Sequence, residues 1–152
     1  MRVALSVVCL SIITGCAAPG QYAALTKPTE SGFAEGVAAQ SDVATIRSRI
    51  IERCAAHGSA VQENGPQSVT CSRQLQGVQA ATISYLMGNA YSTSPQAKTM
   101  FLVTQSGVDV RVVAQSWIEL QMPGGQVRRQ NMTDAQTRNY TQEFLRIEIG
   151  AN

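Results

Sequence analysis

The residues whose types carry covalent or metal chemistry are few: Cys9, Cys16, Cys54, Cys71 and a single histidine, His57. His57 follows Cys54 closely enough to be weighed as the base for a catalytic thiol, but no nearby motif supplies a group to orient its ring. Cys54 and Cys71, 17 positions apart, match no zinc spacing and have no paired histidines beside them. The carboxylates Glu63, Asp109, Glu119 and Glu143 are scattered, so no two are marked out as a glycosidase-like acid pair. The chain also lacks a G-x-S-x-G elbow, a Walker loop, a dinucleotide fingerprint and an H-E-x-x-H pair. These features point to a non-enzymatic protein without cofactor or metal, with His57 facing water at the end of a helix.

Composition narrows the class further. At 152 residues, 44% hydrophobic and 14% charged, the chain fits one domain with a modest core. This excludes a tandem multidomain enzyme, a collagen-like repeat and a highly charged disordered chain. A net charge of +2, from 12 basic and 10 acidic residues, gives no case for nucleic acid.

The first sixteen residues carry a sharper signal. Met1-Arg2 gives a short positive start, and Val3 to Ile13 is an uncharged apolar run. The run is shorter than the about 20 residues a bilayer-spanning helix needs, and it matches the about 7–15 residues of a secretory signal's apolar segment. Ile13-Thr14-Gly15-Cys16 follows, and resembles the lipobox of bacterial lipoproteins: an aliphatic residue, two small residues, then cysteine. Ile13 stands where that family usually has Leu. The resemblance implies cleavage between Gly15 and Cys16, a diacylglyceryl group on the Cys16 sulfur and an acyl chain such as palmitate on the new amine. Ala17, in place of Asp, implies sorting to the periplasmic face of the outer membrane in Gram-negative members. One acyl chain binds a membrane only marginally, whereas two or three hold a protein there essentially permanently.

With Cys9 in the leader and Cys16 acylated, Cys54 and Cys71 remain as an even pair in an exported protein. They read as one disulfide, worth about 3 kcal/mol by loop closure. Residues 1–15 are then a signal peptide, 16–40 a lipidated flexible tether rich in Ala, Gly, Ser, Thr and Pro, and 41–152 a single α+β domain. As a coil the tether spans about 25–30 Å.

Positioning elements follow from periodicity. Ser41 or Asp42 caps a helix whose apolar stripe is Val43, Ile46, Ile50 and Cys54, stopped at Gly58. Short strands are expected at 59–63 and 68–75, and a third at Val78–Met87, where strand alternation competes with a helical spacing. Lys98–Gln105 and Val108–Met122 form a hairpin. In the second strand Val108, Val110, Val112, Ala114, Ser116, Ile118, Leu120 and Met122 share one face. Thr133-Asp134-Ala135-Gln136 reads as a capping box for a last helix, with Tyr140, Phe144 and Ile147 as its stripe. The fold class is therefore α+β: an antiparallel sheet of four or five strands, with the N-terminal and C-terminal helices on one face. That order is topologically similar to the helix-grip domains of outer-membrane assembly lipoproteins.

Trp117 and Val113, on the nominally wet face of the long strand, are candidates for a protein-partner surface. Arg128-Arg129 is a candidate for headgroup or partner contact. Three readings stay open: an envelope lipoprotein acting as an interaction or structural module, a carrier for a lipid or small apolar ligand, and an envelope hydrolase. Intact mass of the membrane-extracted protein tests the shared premise. It should lack residues 1–15, carry acyl mass at Cys16, and gain two hydrogens on reduction; a full-length, unacylated mass refutes the anchor.

Overall fold

The computed structural model describes Thr29, residues 31–89 and residues 92–152. The leader, Cys9, Cys16 and most of the segment read as a tether lie outside the described residues.

Alternation of apolar and polar side chains makes the long hairpin. β4 (Gln96–Ser106) and β5 (Asp109–Gln121) pair from Ser106↔Asp109 to Gln96↔Glu119. Gly107, with φ +64, opens the turn between them, so Val108 sits exposed at the turn and not on the buried face. β3 (Ser68–Gln74) adds to the free edge of β4, and β2 (Ala60–Glu63) to that of β3. The other edge of β5 carries two strands in line. β1 (Ala34–Ala38) covers Val110 to Ala114, and β6 (Val127–Asn131) covers Trp117 to Gln121. All pairings are antiparallel, giving a six-stranded sheet in an α+β fold.

β1 corrects the tether reading for residues 34–38. Ala34, Gly36 and Ala38 are buried, and their small size hides an alternation that larger side chains would display. Gly36 has a second role: a Cβ there would lie 2.6 Å from the carbonyl oxygen of Ala151.

Asp42 is the cap of α1 (Val43–Ala56), accepting from the Thr45 amide at 2.9 Å. Ile46, Ile50 and Cys54 form its buried stripe, as the spacing required. Val78–Met87 is not a strand. It lies within α2 (Gly77–Met87), whose apolar side chains are spread so evenly around the axis that no helical period stands out.

α3 (Ala135–Phe144) is capped by Asp134, one position later than the expected box, with its carboxylate taking the Thr137 amide at 2.8 Å. The expected stripe also shifts. Tyr140 and Ile147 are exposed, while Thr141, Leu145 and Ile149 are buried. These spacings of four drift around an α-helix of 3.6 residues per turn, and the last turn widens into a π-helix over Leu145–Ile149 that absorbs the drift. Gly150, left-handed at φ +76, turns the chain back.

The returning tail closes the outer edge of β1. Val37 N–H donates to the Asn152 carbonyl at 2.8 Å, and Asn152 N–H returns a bond to Val37 at 3.1 Å. The Gln142 side-chain amide takes both backbone groups of Glu35, at 3.0 and 2.6 Å, as a neighbouring strand would.

Two apolar clusters hold these pieces together. The larger joins Ile46, Ile50, Leu145 and Ile149 to Val69, Phe101, Val103, Val110, Val112 and Ala114. The smaller joins Met87 to Ile118 and Leu120, with Leu75, Ile83, Met122 and Met132 around them. Their β5 residues all fall on one face of that strand.

Gly36→Ala forces the tail off β1 or strains the strand, an overpacking cost of roughly 1–3 kcal/mol in urea unfolding. Ending the chain at Gly150 should make that substitution nearly neutral, because the clashing carbonyl is gone; an equal cost in both backgrounds would contradict the contact.

Candidate functional site

Between the two clusters the sheet carries small or polar side chains where its neighbours carry branched apolar ones. Thr99 and Ser116 face each other across β4 and β5 with their hydroxyls 2.9 Å apart. Ala97 and Cys71 flank them. Opposite stand Thr137, Tyr140, Thr141 and Phe144 of α3 and the end of α1. The result is an open groove of about 560 Å³, walled on its apolar sides by Leu75, Phe101, Met132 and Phe144. That volume lies within the about 300–1,000 Å³ usual for small-molecule sites.

The disulfide forms part of the lining. Cys54 and Cys71 are bonded with Cα atoms 6.0 Å apart, fastening the end of α1 to β3. Bonded sulfur is no nucleophile, so the reading of Cys54 as a thiol activated by His57 is removed. His57 itself lies at the helix end, exposed, with its ring 6.1 Å from that of Phe144 in an edge contact. Asp134, at the rim, is committed to capping: bonds from the Thr137 amide and hydroxyl hold its carboxyl below the ordinary range. Arg73 is the remaining cation of the rim, exposed and without an ion pair among the described residues. The groove thus offers hydroxyls, a ring edge, a guanidinium and apolar walls, and no paired nucleophile and base. Among the described residues, no three His, Cys, Asp or Glu side chains gather into a set able to hold a metal.

The partner-binding candidates are not brought together as one surface. Trp117 is on the expected face but only 5% exposed. Arg129 covers its ring, with the guanidinium carbon 4.2 Å from the ring centroid. Beneath them Glu119 accepts from Trp117 Nε1 at 3.1 Å and from Lys98 Nζ at 2.5 Å, and pairs with Arg129 at 3.5 Å. Val113 is half-buried on that face opposite Leu102. Arg128 turns to the other face, as alternation along β6 demands, and donates to the Met87 carbonyl at 2.6 Å. Cys16 lies outside the described residues.

A cavity between sheet and helices is what the carrier reading expects, but its lining residues were not singled out in the sequence, although Ser116 marks the place as the hydroxyl residue in an otherwise apolar face of β5. β6 supplies the cover over Trp117, and its all-exposed sequence VRRQN gives no burial period to read.

No protein-family model matches this sequence, and no curated protein matches it either. Among the described residues no helix is long and apolar enough to cross a membrane.

The Glu119 cluster makes stability depend on pH. Burial pushes the carboxyl up, but bonds from Lys98 and Trp117, the Lys98 charge and a bond from Arg129 outweigh it and hold it below its ordinary value. A lowered value means stability present above the unfolded carboxyl's about 4.3 and lost as pH falls through the folded value. Glu119→Gln should therefore cost roughly 1–3 kcal/mol at neutral pH, with the gap to wild type closing in acid. A gap unchanged from neutral pH to acid would refute the charged network.

Proposed function

We propose that the protein is a membrane-anchored envelope lipoprotein, held by lipid on Cys16, whose folded part is a non-enzymatic binding module. Its site is the groove between α3, the end of α1 and the sheet, and its ligand is a lipid or another small molecule with a large apolar part. The observation that carries this reading is the groove itself: an opening of about 560 Å³ kept free by Thr99, Ser116 and Ala97. A core built only for stability would fill such a space, since each buried methylene adds about 0.8 kcal/mol. The disulfide in the lining accords with an oxidising compartment. Apolar walls favour a hydrocarbon, and Arg73 with the threonine hydroxyls suits a polar or anionic head.

A protein-partner module remains the second reading, on a different footing from that in the sequence. With Trp117 covered, the apolar groups left on the outer sheet face are Val37, Leu102 and Val127, all exposed, beside Val113 and Met100. The hydrolase reading has no residue pair in its favour among those lining the groove.

Native mass spectrometry of protein extracted from envelope membranes tests the assignment. Wild-type protein should retain a low-mass amphiphile, and Ser116→Leu, which fills the groove floor, should lose it while unfolding at a similar temperature. Absence of any adduct, together with no thermal shift on adding long-chain fatty acid or phospholipid, would refute it.

A further inference from the structure

A helix that is apolar on all sides belongs inside a protein. α2 comes close to this, with Gln79, Thr82 and Ser84 its polar side chains and no charged one, yet Met87 is its buried residue, while Val78 is 83%, Tyr85 88% and Leu86 67% exposed. Ile83 and Met87 face the smaller cluster on Ile118 and Leu120. Val78, Thr82, Tyr85 and Leu86, at helical spacings, make the opposite side. The Thr82 hydroxyl donates to the Val78 carbonyl at 2.9 Å, so its hydrogen is spent within the helix.

Along the sequence around α2 the charge has one sign, and the carboxylate nearest in space, Asp134 on the groove rim, is held as the cap of α3. No charged residue stands between Arg73 and Lys98, and no carboxylate between Glu63 and Asp109. Arg73, in β3, precedes α2, and its guanidinium has no ion pair or hydrogen bond among the described residues, while the guanidinium of Arg128 sits at the helix's C-terminal carbonyl, on Met87. The side chains thus form a neutral apolar stripe with a cation near each end.

We propose that this face of α2 is a membrane-contact surface: Val78, Tyr85 and Leu86 enter the interface of a phospholipid leaflet, and Arg73 and Arg128 meet its anionic headgroups. A leaflet supplies what the stripe lacks, non-directional apolar cover flanked by diffuse negative charge. Thr82 spends its hydroxyl hydrogen within the helix, and Tyr85 joins an exposed apolar ring to a phenol, the amphipathic form suited to the headgroup level of a leaflet. The proposal does not depend on acylation at Cys16 or on a ligand in the groove.

The test uses the full chain, purified and mixed with vesicles of phosphatidylethanolamine and phosphatidylglycerol, with and without bromine on the acyl chains. In Leu86→Trp the added fluorescence should be quenched by the brominated chains, while an exposed control, Gln62→Trp on β2, should not be. Unaltered melting temperature establishes that each variant is folded. In a Cys16→Ser background, Tyr85→Ser with Leu86→Ser should lower vesicle binding about tenfold, given the apolar area exposed. Arg73→Gln with Arg128→Gln should lower it on anionic vesicles and leave it unchanged on neutral ones. Vesicle-bound protein in which Leu86→Trp is no more quenched than Gln62→Trp overturns the proposal. So does loss of self-association in the serine variant without any change in vesicle binding, which would assign the face to a second copy of the chain. Failure of the lipid anchor alone would show as missing acyl mass, with the bromine quenching still readable.

Discussion

The constraint on which the structure depends is the two-sided use of β5. The strand is paired along both edges for most of its length, with β4 on one and β1 and β6 end to end on the other. One face supplies Val110, Val112 and Ala114 to the larger cluster and Ile118 and Leu120 to the smaller. The opposite face supplies Trp117 and Glu119 to the charged cover. A one-residue slip in register would exchange these two sets and leave neither a core nor a satisfied carboxylate, so register is strongly specified. Ser116 lies at the junction of the two clusters, and that position makes a gap in the packing where a continuous strip of Val or Ile would make none.

Much of this architecture was legible because burial leaves a period. The α1 stripe at Ile46, Ile50 and Cys54 and the long hairpin follow from spacing, and the Cys54–Cys71 bond from the even pair of cysteines left once Cys9 and Cys16 are set aside. What escaped did so for definable reasons. β1 buries alanine and glycine, which carry too little area to mark a face. β6 buries nothing, because its work is to cover Trp117 with the Arg129 guanidinium. α2 spreads its apolar residues evenly around the axis, so no helical period stands out against a strand alternation. The last turn of α3 shifts its stripe through a π-helix, which a 3.6-residue template cannot follow. The site was harder to read than the fold, since a groove is defined by side chains that are small or absent.

Edge protection also links the ends of the chain to the core. β1 would offer a free ladder, but the Gln142 amide and the Asn152 backbone occupy its outer groups. This closure requires glycine at residue 36, so that the tail can approach, and at residue 150, so that it can turn. β6, on the same side of the sheet, is guarded differently, by two consecutive arginines that disfavour pairing with a second copy of itself. The arginines read in the sequence as one basic patch therefore act separately, Arg129 on the Trp117 face and Arg128 at the end of α2.

The proposed anchor, groove and leaflet contact become mutually intelligible through α2. Gln79 of this helix and Leu75 just before it line the groove, while Val78, Tyr85 and Leu86 point away from the cluster. A leaflet meeting that outer side would lie within one helix diameter, about 10 Å, of the groove's apolar wall. Lipid on Cys16 would fasten the chain at one residue, and attachment at one point does not by itself orient the folded surface. Orientation would have to come from the folded surface, and α2 is the element whose apolar exposure has no other explanation within the described structure. An apolar molecule leaving the leaflet would then pass along one side of a single helix to reach Phe101 and Phe144, a path that avoids full exposure to water.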